Sequence, residues 1–286
     1  MNIHINYNDH ILNNSQEQYI IKHLHLRPYT SYSRISQSKL NKIKQKYFLK
    51  FNRHMTDNII LSIKSAFMKE HIIKNFYKLN KHKNSIVDDY LKYKNKSIKK
   101  NILLLSTKYD LSPMTMMNHI IFNIYNTYIK NIKNNINIDI YDYQQIDIAK
   151  NNDIYFQLDQ TTSIEESKLF EKNIETILIK KNIKYKTQEQ LTIEQKKSIG
   201  KPINTPDFLI LSDLIINNVK INWIDAKNFF GSNNKFIRSK ILKQTKKYLA
   251  SYGSGMILFS LGFNSDLQFK DILLMNYESV HDFIYS

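Results

Sequence analysis

The residue types best suited to chemistry lie late in the chain. Asp225 and Lys227 flank Ala226 at the end of an apolar run, and Asp207 follows a proline 18 residues earlier. Strand side chains alternate between faces, so Asp225 and Lys227 share one. Two carboxylates and an ammonium on one face form a site for a hard cation. Oxygen ligands suit Mg2+ or Mn2+, which keep several waters and bridge to phosphate. Such a cation offsets charge developing at phosphorus and acidifies the attacking water. Lys227 would hold or help deprotonate that water and counter the transition-state charge. An isolated Asp-x-Lys is ordinarily a solvated strand edge, so the surrounding segments must give this one its meaning.

Four segments have to position the site. Ile164 to Lys181 has a helical stripe of Leu169, Ile174, Ile177 and Leu178, with Glu171 and Glu175 one turn apart. Thr205-Pro206-Asp207 opens a strand that runs to Leu211. Val219 to Lys227 is a second strand, preceded by an Asn217-Asn218 turn. Phe236 to Tyr252 is a basic helix bearing Gln244 and Tyr248, and Met256 to Phe259 is a buried strand. Register decides whether the acids meet. A two-residue loop would pair Asp207 with Asn228 and turn it away from Asp225, and a three-residue loop would pair it with Lys227. The chemistry therefore requires an odd-numbered loop or a bulge.

The joint pattern resembles the PD-(D/E)xK nuclease superfamily: an acidic helix, Pro206-Asp207, a strand ending Asp225-Ala226-Lys227, then a helix with Gln244-x-x-x-Tyr248. The Gln and Tyr match its RecB-like branch, where they help hold the substrate and the site. TPDF, INWIDAKNFFG and QTKKYLASYGSGMILFSLGF, with KNIKYKTQEQL before them and YDLSPMTMMNHIIFNIY at 109–125, look like the codanin-interacting nuclease family, which carries a Thr-Pro-Asp signature. The resemblance spans roughly 35–280 and is stronger after 165. It implies a metal held by Glu171, Asp207, Asp225 and the main-chain carbonyl of Ala226. Catalytic roles fall on Glu171, Asp207, Asp225, Lys227, Gln244 and Tyr248. It also implies a restriction-endonuclease-like domain with a central mixed sheet flanked by helices, a nuclear or nucleocytoplasmic location, and a codanin-type partner. Asp225 stands where animal members carry Glu. Being one methylene shorter, it would bring the metal closer to its strand.

The first half reads differently. It has no glycine and two prolines, whereas all five glycines lie after residue 199. Its helical stripes are Leu40, Ile43, Tyr47 with Leu49 or Phe51; then Ile59, Ile60, Ile63 and Phe67 behind a Thr56 cap; then Met117, Ile120, Ile121, Ile124, Tyr125 and Tyr128 behind Ser112-Pro113. A short helix at Ile102–Ser106, a turn and a capped helix outline a helix-turn-helix, whose polar face (Thr115, Asn118, His119) would meet DNA; an ordinary helical bundle has the same outline. His23 and His25 form no persuasive metal spacing. Asn131 to Ile146 reads as an Asn-rich linker. The expected architecture is α+β in two domains: helical and helix-turn-helix-like over 1–150, nuclease-like over 151–286.

Charge agrees with a polyanionic partner. The chain carries a net +17, of which +14 falls in residues 1–150 and +3 in 151–286. The Asn, Lys and Ile bias matches AT-rich coding, which discounts part of the lysine excess. What remains favours DNA, or RNA, bound through the basic half with salt-dependent affinity. Cysteine is absent, which excludes disulfides, thiolate nucleophiles and Cys-ligated zinc. No long apolar run or leader-like segment stands out, so an intracellular protein without a membrane partner is expected. Three function classes follow in order: a Mg2+- or Mn2+-dependent nuclease, a non-catalytic nucleic-acid-binding adaptor built on a nuclease fold, and a helix-turn-helix regulator. The last is disfavoured because no lysine lies between Lys108 and Lys130.

Overall fold

The computed structural model describes residues 1–6, 11–24, 32–132, 138–155 and 160–285. The chain forms two compact units. One comprises residues 1–20, 44–66 and 160–286, and the other residues 21–43 and 67–159. The single cut expected at 150 therefore moves to 160, and two N-terminal stretches join the C-terminal unit.

The site-bearing unit is a mixed α+β structure around a five-stranded sheet. Its strands are β3 (Tyr185–Thr187), β4 (Phe208–Ile210), β7 (Trp223–Lys227), β8 (Gly255–Phe259) and β10 (Ile272–Asn276), in the order β10-β8-β7-β4-β3. β10, β8 and β7 run parallel, and β4 and β3 are antiparallel to their neighbours. Both faces of β7 are covered, which explains its continuous burial over Trp223–Asp225. On one face lies α8 (Gln160–Lys180), through Phe170, Ile174, Ile177 and Leu178, against Phe208, Ile224, Met256 and Leu258. On the other lies α10 (Lys235–Tyr252), through Ile237, Ile241 and Tyr248, against Trp223, Ile257 and Phe259. Leu169, expected in the helical stripe, is 61% exposed; Phe170 takes its place in the core.

The N-terminal residues join this unit by β-pairing. β1 (Asn2–Ile3) pairs in parallel with β5 (Ile215–Ile216), and β2 (Ile11–Leu12) with β9 (Phe263–Asn264). The Asn217 carboxamide accepts from Ile5 N at 2.8 Å and donates to Ile5 O at 3.0 Å. Two-residue strands carry no legible alternation, so sequence periodicity could not show them.

The other unit is helical. α4 (Lys83–Asn95), α5 (Asn101–Tyr109), α6 (Pro113–Tyr125) and α7 (Ile140–Asn151) share a core of Ile86, Ile102, Leu105, Met117, Ile120, Ile121 and Ile146. α6 starts as its sequence predicts: Ser112 Oγ accepts from Thr115 N at 3.2 Å, and Pro113 sits in the first turn. The expected linker over 131–146 is corrected at its end. From Ile140 it is helix, and its Asp142 is fully buried. Tyr90 Oη (2.7 Å), Tyr125 Oη (2.6 Å) and Lys94 Nζ (2.8 Å) all donate to Asp142. A polar network replaces the apolar stripe there, which is why periodicity missed the helix. Residues 133–137 of that stretch, and His25, lie outside the described residues.

Candidate active site

Register brings the acids together. β4 and β7 pair Phe208 with Ile224, which places Asp207 opposite Asp225 at the strand end. The route is a two-residue loop plus a bulge. Asn217 and Asn218, both with positive φ (47° and 63°), close a hairpin between β5 and β6 (Val219–Lys220). That hairpin's register, continued to residue 207, would put Asp207 opposite Asn228. Between Ile210 and Leu214, however, the first strand gains three residues: Ile210 N donates to Asn222 O, whereas Leu214 O accepts from Ile221 N. An odd insertion reverses the parity, and Asp207 turns to the face of Asp225.

Asp225 is fully buried. Its Oδ1 accepts from Gln244 Nε2 at 3.0 Å, and its Oδ2 lies against the Lys227 ammonium without a hydrogen bond. Lys227 Nζ donates to Gln244 Oε1 at 2.9 Å. Gln244 is thus fixed in orientation, with its amide nitrogen on the acid and its oxygen on the amine. Tyr248, one turn on, receives Gln244 Nε2 at 3.3 Å and donates to Thr205 O at 3.3 Å, which ties α10 to the Thr-Pro-Asp segment. Asp207 Oδ2 accepts from Ala226 N at 2.7 Å. Of the predicted set, Asp207, Asp225, Ala226, Lys227, Gln244 and Tyr248 form one connected cluster.

Glu171 approaches from α8, half-buried, and its carboxyl takes no hydrogen bond among the described residues. Its partner role is electrostatic. Burial raises its pKa first, and the Asp225 charge raises it further. Its competitor Glu175 is occupied, since Tyr185 Oη donates to its Oε1 at 2.9 Å. Burial, then the Asp225 charge, push the Asp207 carboxyl up to about 7 against the pull of Ala226 N and Lys227, and Glu171 adds to the rise. Burial raises Asp225 too, with Lys227 opposing. Burial is also the first cause that raises Tyr248, to about 12.

Supporting residues explain the rest of the local sequence. Trp223, fully buried, packs on Tyr248 with ring centroids 5.3 Å apart and donates to Gly253 O at 2.9 Å, so it is core beneath the site. A Cβ on Gly255 would sit 2.2 Å from the Trp223 ring. Phe230 and Phe259 are buried, and a Cβ on Gly231 would meet the Phe259 and Phe263 side chains at 2.8 Å, so the Phe-Phe-Gly turn is packing. Tyr252 donates to Asn204 O at 2.8 Å. Two positioning residues escaped the sequence reading. In α9 (Gln188–Ile199), Gln188 N and Nε2 hold the carbonyls of Asp207 (3.0 Å) and Thr205 (3.1 Å), and the Gln195 carboxamide clamps Ile203 and Asn204. The Thr187-x-x-Gln190 capping box was the available signal for this helix.

The basic run on α10 divides. Arg238 is structural, bonded to Asn233 Oδ1 and to the carbonyls of Asp266 and Gln268. Lys235, Lys240, Lys243, Lys246 and Lys247 are exposed. Lys240, one turn before Gln244, has no carboxylate partner among the described residues. Its pKa is lowered by desolvation first and then by Lys227. In the helical unit, the polar face expected to meet DNA is engaged internally. His119 Nε2 lies 2.9 Å from Lys83 O, Asn118 Oδ1 accepts from Ile129 N, and Thr115 Oγ1 donates to Ser112 Oγ. α6 is itself buried along Met114, Met116, Met117, Ile120 and Ile121, as suits a core helix.

Among the described residues no helix is long and apolar enough to cross a membrane, and no three His, Cys, Asp or Glu side chains gather closely enough to cage a metal ion. The residues present still fit a hard cation. Mg2+ is ordinarily held by one or two carboxylates, water and substrate phosphate rather than by a protein cage. Asp225 Oδ2 is buried with the Lys227 ammonium against it, and the Asp225 charge raises the pKa of both Asp207 and Glu171, a repulsion that a cation relieves.

Comparison with known proteins adds a family. The chain is similar to protein L539 of Acanthamoeba polyphaga mimivirus, named there as uncharacterized: 27% identical over 155 residues, 53% of this chain and 54% of the relative. The chain thus spans about half the length of the curated relative it matches. No solved structure matches it. The family described as "Protein of unknown function TPD sequence-motif" matches residues 135–278, which hold Thr205-Pro206-Asp207 and every member of the cluster, so the chain belongs to the TPD sequence-motif family.

Proposed function

We propose that the protein is a divalent-metal-dependent nuclease that hydrolyses phosphodiester bonds in DNA or a DNA structure, on a PD-(D/E)xK-type, restriction-endonuclease-like domain. The carrying observation is the meeting of Asp207 and Asp225 across β4 and β7, with Lys227 paired to Asp225 and both held by Gln244. Mg2+ or Mn2+ would be held by Asp207 and Asp225, with Glu171 facing the same charge, and supplies Lewis acidity at the phosphate. The protein's own groups do the positioning. Lys227 presents an ammonium to the attacking water or a non-bridging phosphate oxygen. Gln244 sets that ammonium's direction, and Tyr248 holds the Thr205 carbonyl and so the Asp207 segment. Lys240 adds a further cation at the mouth. Hydrolysis adds water across the P–O bond, leaving a phosphate monoester and a hydroxyl. A codanin-type partner and a nuclear location, with cytoplasm as a second site, remain part of this proposal through the family resemblance alone.

The test is cleavage of single-stranded, duplex and branched DNA with Mg2+ or Mn2+ by wild type, Asp225→Ala and Lys227→Ala. Loss of Lys227 should lower the rate by about 10^2 or more. Equal rates from all three proteins would end the catalytic claim. Binding that survives chelator and ignores Asp207→Asn would favour the adaptor.

A further inference from the structure

Two side-chain contacts join α10 to the end of β7. In the first, Lys227 Nζ donates to Gln244 Oε1 at 2.9 Å. In the second, one turn earlier on the helix, Lys240 Nζ lies over the Phe229 ring, 6.0 Å from its centroid. Residues four apart share a helix face, and Phe229 follows Lys227 by two, with its N–H donated to Lys227 O at 2.8 Å. The second contact is therefore the next rung beside the first, displaced from the acids toward the start of α10. The Phe-Phe-Gly turn packs through Phe230 and Gly231, but Phe229 is only partly buried, and its ring meets Phe259 in a T-shaped contact at 5.9 Å. The ring is thus anchored on the core and offers its face to the ammonium.

Holding a lysine in this way has a consequence for charge. A carboxylate partner would neutralise Lys240, whereas the ring quadrupole directs the ammonium and leaves its positive charge in place. Lys240 is exposed, has no carboxylate partner among the described residues, and feels the charges of Lys227 and Asp225. An ammonium held near a second lysine and bonded to no acid gains from an anion of its own. Successive phosphates of a nucleic acid strand supply two anions at a short, fixed interval, and a lone phosphodiester supplies one.

We propose that Lys240, held on the Phe229 ring, binds a second phosphate beside the one at Lys227, so that the substrate is a strand with at least two successive phosphates and Phe229 is a positioning residue for Lys240. The first phosphate rests on the nuclease reading, and the second on the contact between lysine and ring.

The experiment measures fluorescence anisotropy in chelator, where nothing is cut, with a labelled DNA oligonucleotide, single-stranded or duplex according to which the wild type binds more tightly. Unlabelled thymidine dinucleotide and trinucleotide, with one and two phosphodiesters, then compete against it. Lys240→Gln should lower the slope of log affinity against log salt by about one. Phe229→Leu should weaken binding about threefold alone and not at all beside Lys240→Gln, and Phe229→Tyr, which keeps the ring, should bind as the wild type does. The trinucleotide should compete about threefold better than the dinucleotide against the wild type, and lose that advantage with Lys240→Gln. A Phe229→Leu loss that persists beside Lys240→Gln, a trinucleotide advantage that survives Lys240→Gln, or a wild type that binds no DNA overturns the proposal. Should Phe229→Leu fail to fold by circular dichroism, the trinucleotide comparison decides alone. Cleavage with Mg2+ separates the two ideas. Coupled losses in binding without cleavage sink the nuclease and keep the phosphate site. Cleavage with uncoupled variants sinks the pair and keeps the nuclease.

Discussion

Asp207 is an acid whose burial beside Asp225 costs stability at neutral pH. Its folded pKa, about 7, lies above the ordinary 3.8, so the folded chain holds a proton that the unfolded chain releases. In metal-free protein its contribution to stability is greatest below pH 3.8 and is lost as pH rises toward 7. Asp207→Asn should flatten that loss and stabilise the metal-free protein at neutral pH by about 1–3 kcal/mol, measured by urea unfolding between pH 4 and 8. A more stable variant that no longer gains stability from Mg2+ is the expected signature; an unchanged pH profile would place the Asp207 carboxyl in water. Lys240 can be tried separately. Lys240→Ala, which removes a charge felt at Asp225 and Lys227, should lessen the slope of log affinity against log salt by about one, whereas Lys243→Ala should do so less.

Between strand and helix, the site depends on two geometric devices. The first is the odd insertion between Ile210 and Leu214, without which the two-residue Asn217-Asn218 turn would send Asp207 to the α8 side. The need for such a bulge was legible from the spacing of Asp207, Asp225 and Lys227. Its position was not, because Ser212-Asp213 marks a break in the strand without saying how many residues the break inserts. The second device is the stack of Gly255, Trp223 and Tyr248 that levels α10 against β7 and β8. Gly255→Ala should destabilise by about 2–3 kcal/mol in denaturant titration, since its methyl meets an indole ring held on both sides. Pairing it with Trp223→Leu should recover part of that loss, and strictly additive effects would show that the two residues are not coupled.

At the level of the whole molecule, the C-terminal unit is not closed by C-terminal sequence. Ile3 and Ile5 are 8% and 5% exposed in its core, and Ser62 Oγ accepts from Phe230 N at 2.8 Å just after the Asp-x-Lys strand. Removing residues 1–6 should cost about 3–5 kcal/mol through loss of two buried isoleucines and the β1 pairing, read as a drop in thermal midpoint. A fragment of residues 151–286 should lack cooperative unfolding by calorimetry; a sharp transition there would show that the early segments are dispensable. By itself the sequence determined the identities of the acids, lysine, glutamine and tyrosine, the helices α6, α8 and α10, and the strand β8, because a capping pair, apolar periodicity and residue chemistry are local properties. Only the tertiary structure decided which acid of Glu171 and Glu175 stays unbonded, that Asn118 and His119 are already engaged, that Asp142 organises a helix within an apparent linker, and where the chain divides. Those outcomes depend on contacts between residues 10 to more than 200 positions apart, which apolar periodicity and capping motifs do not report.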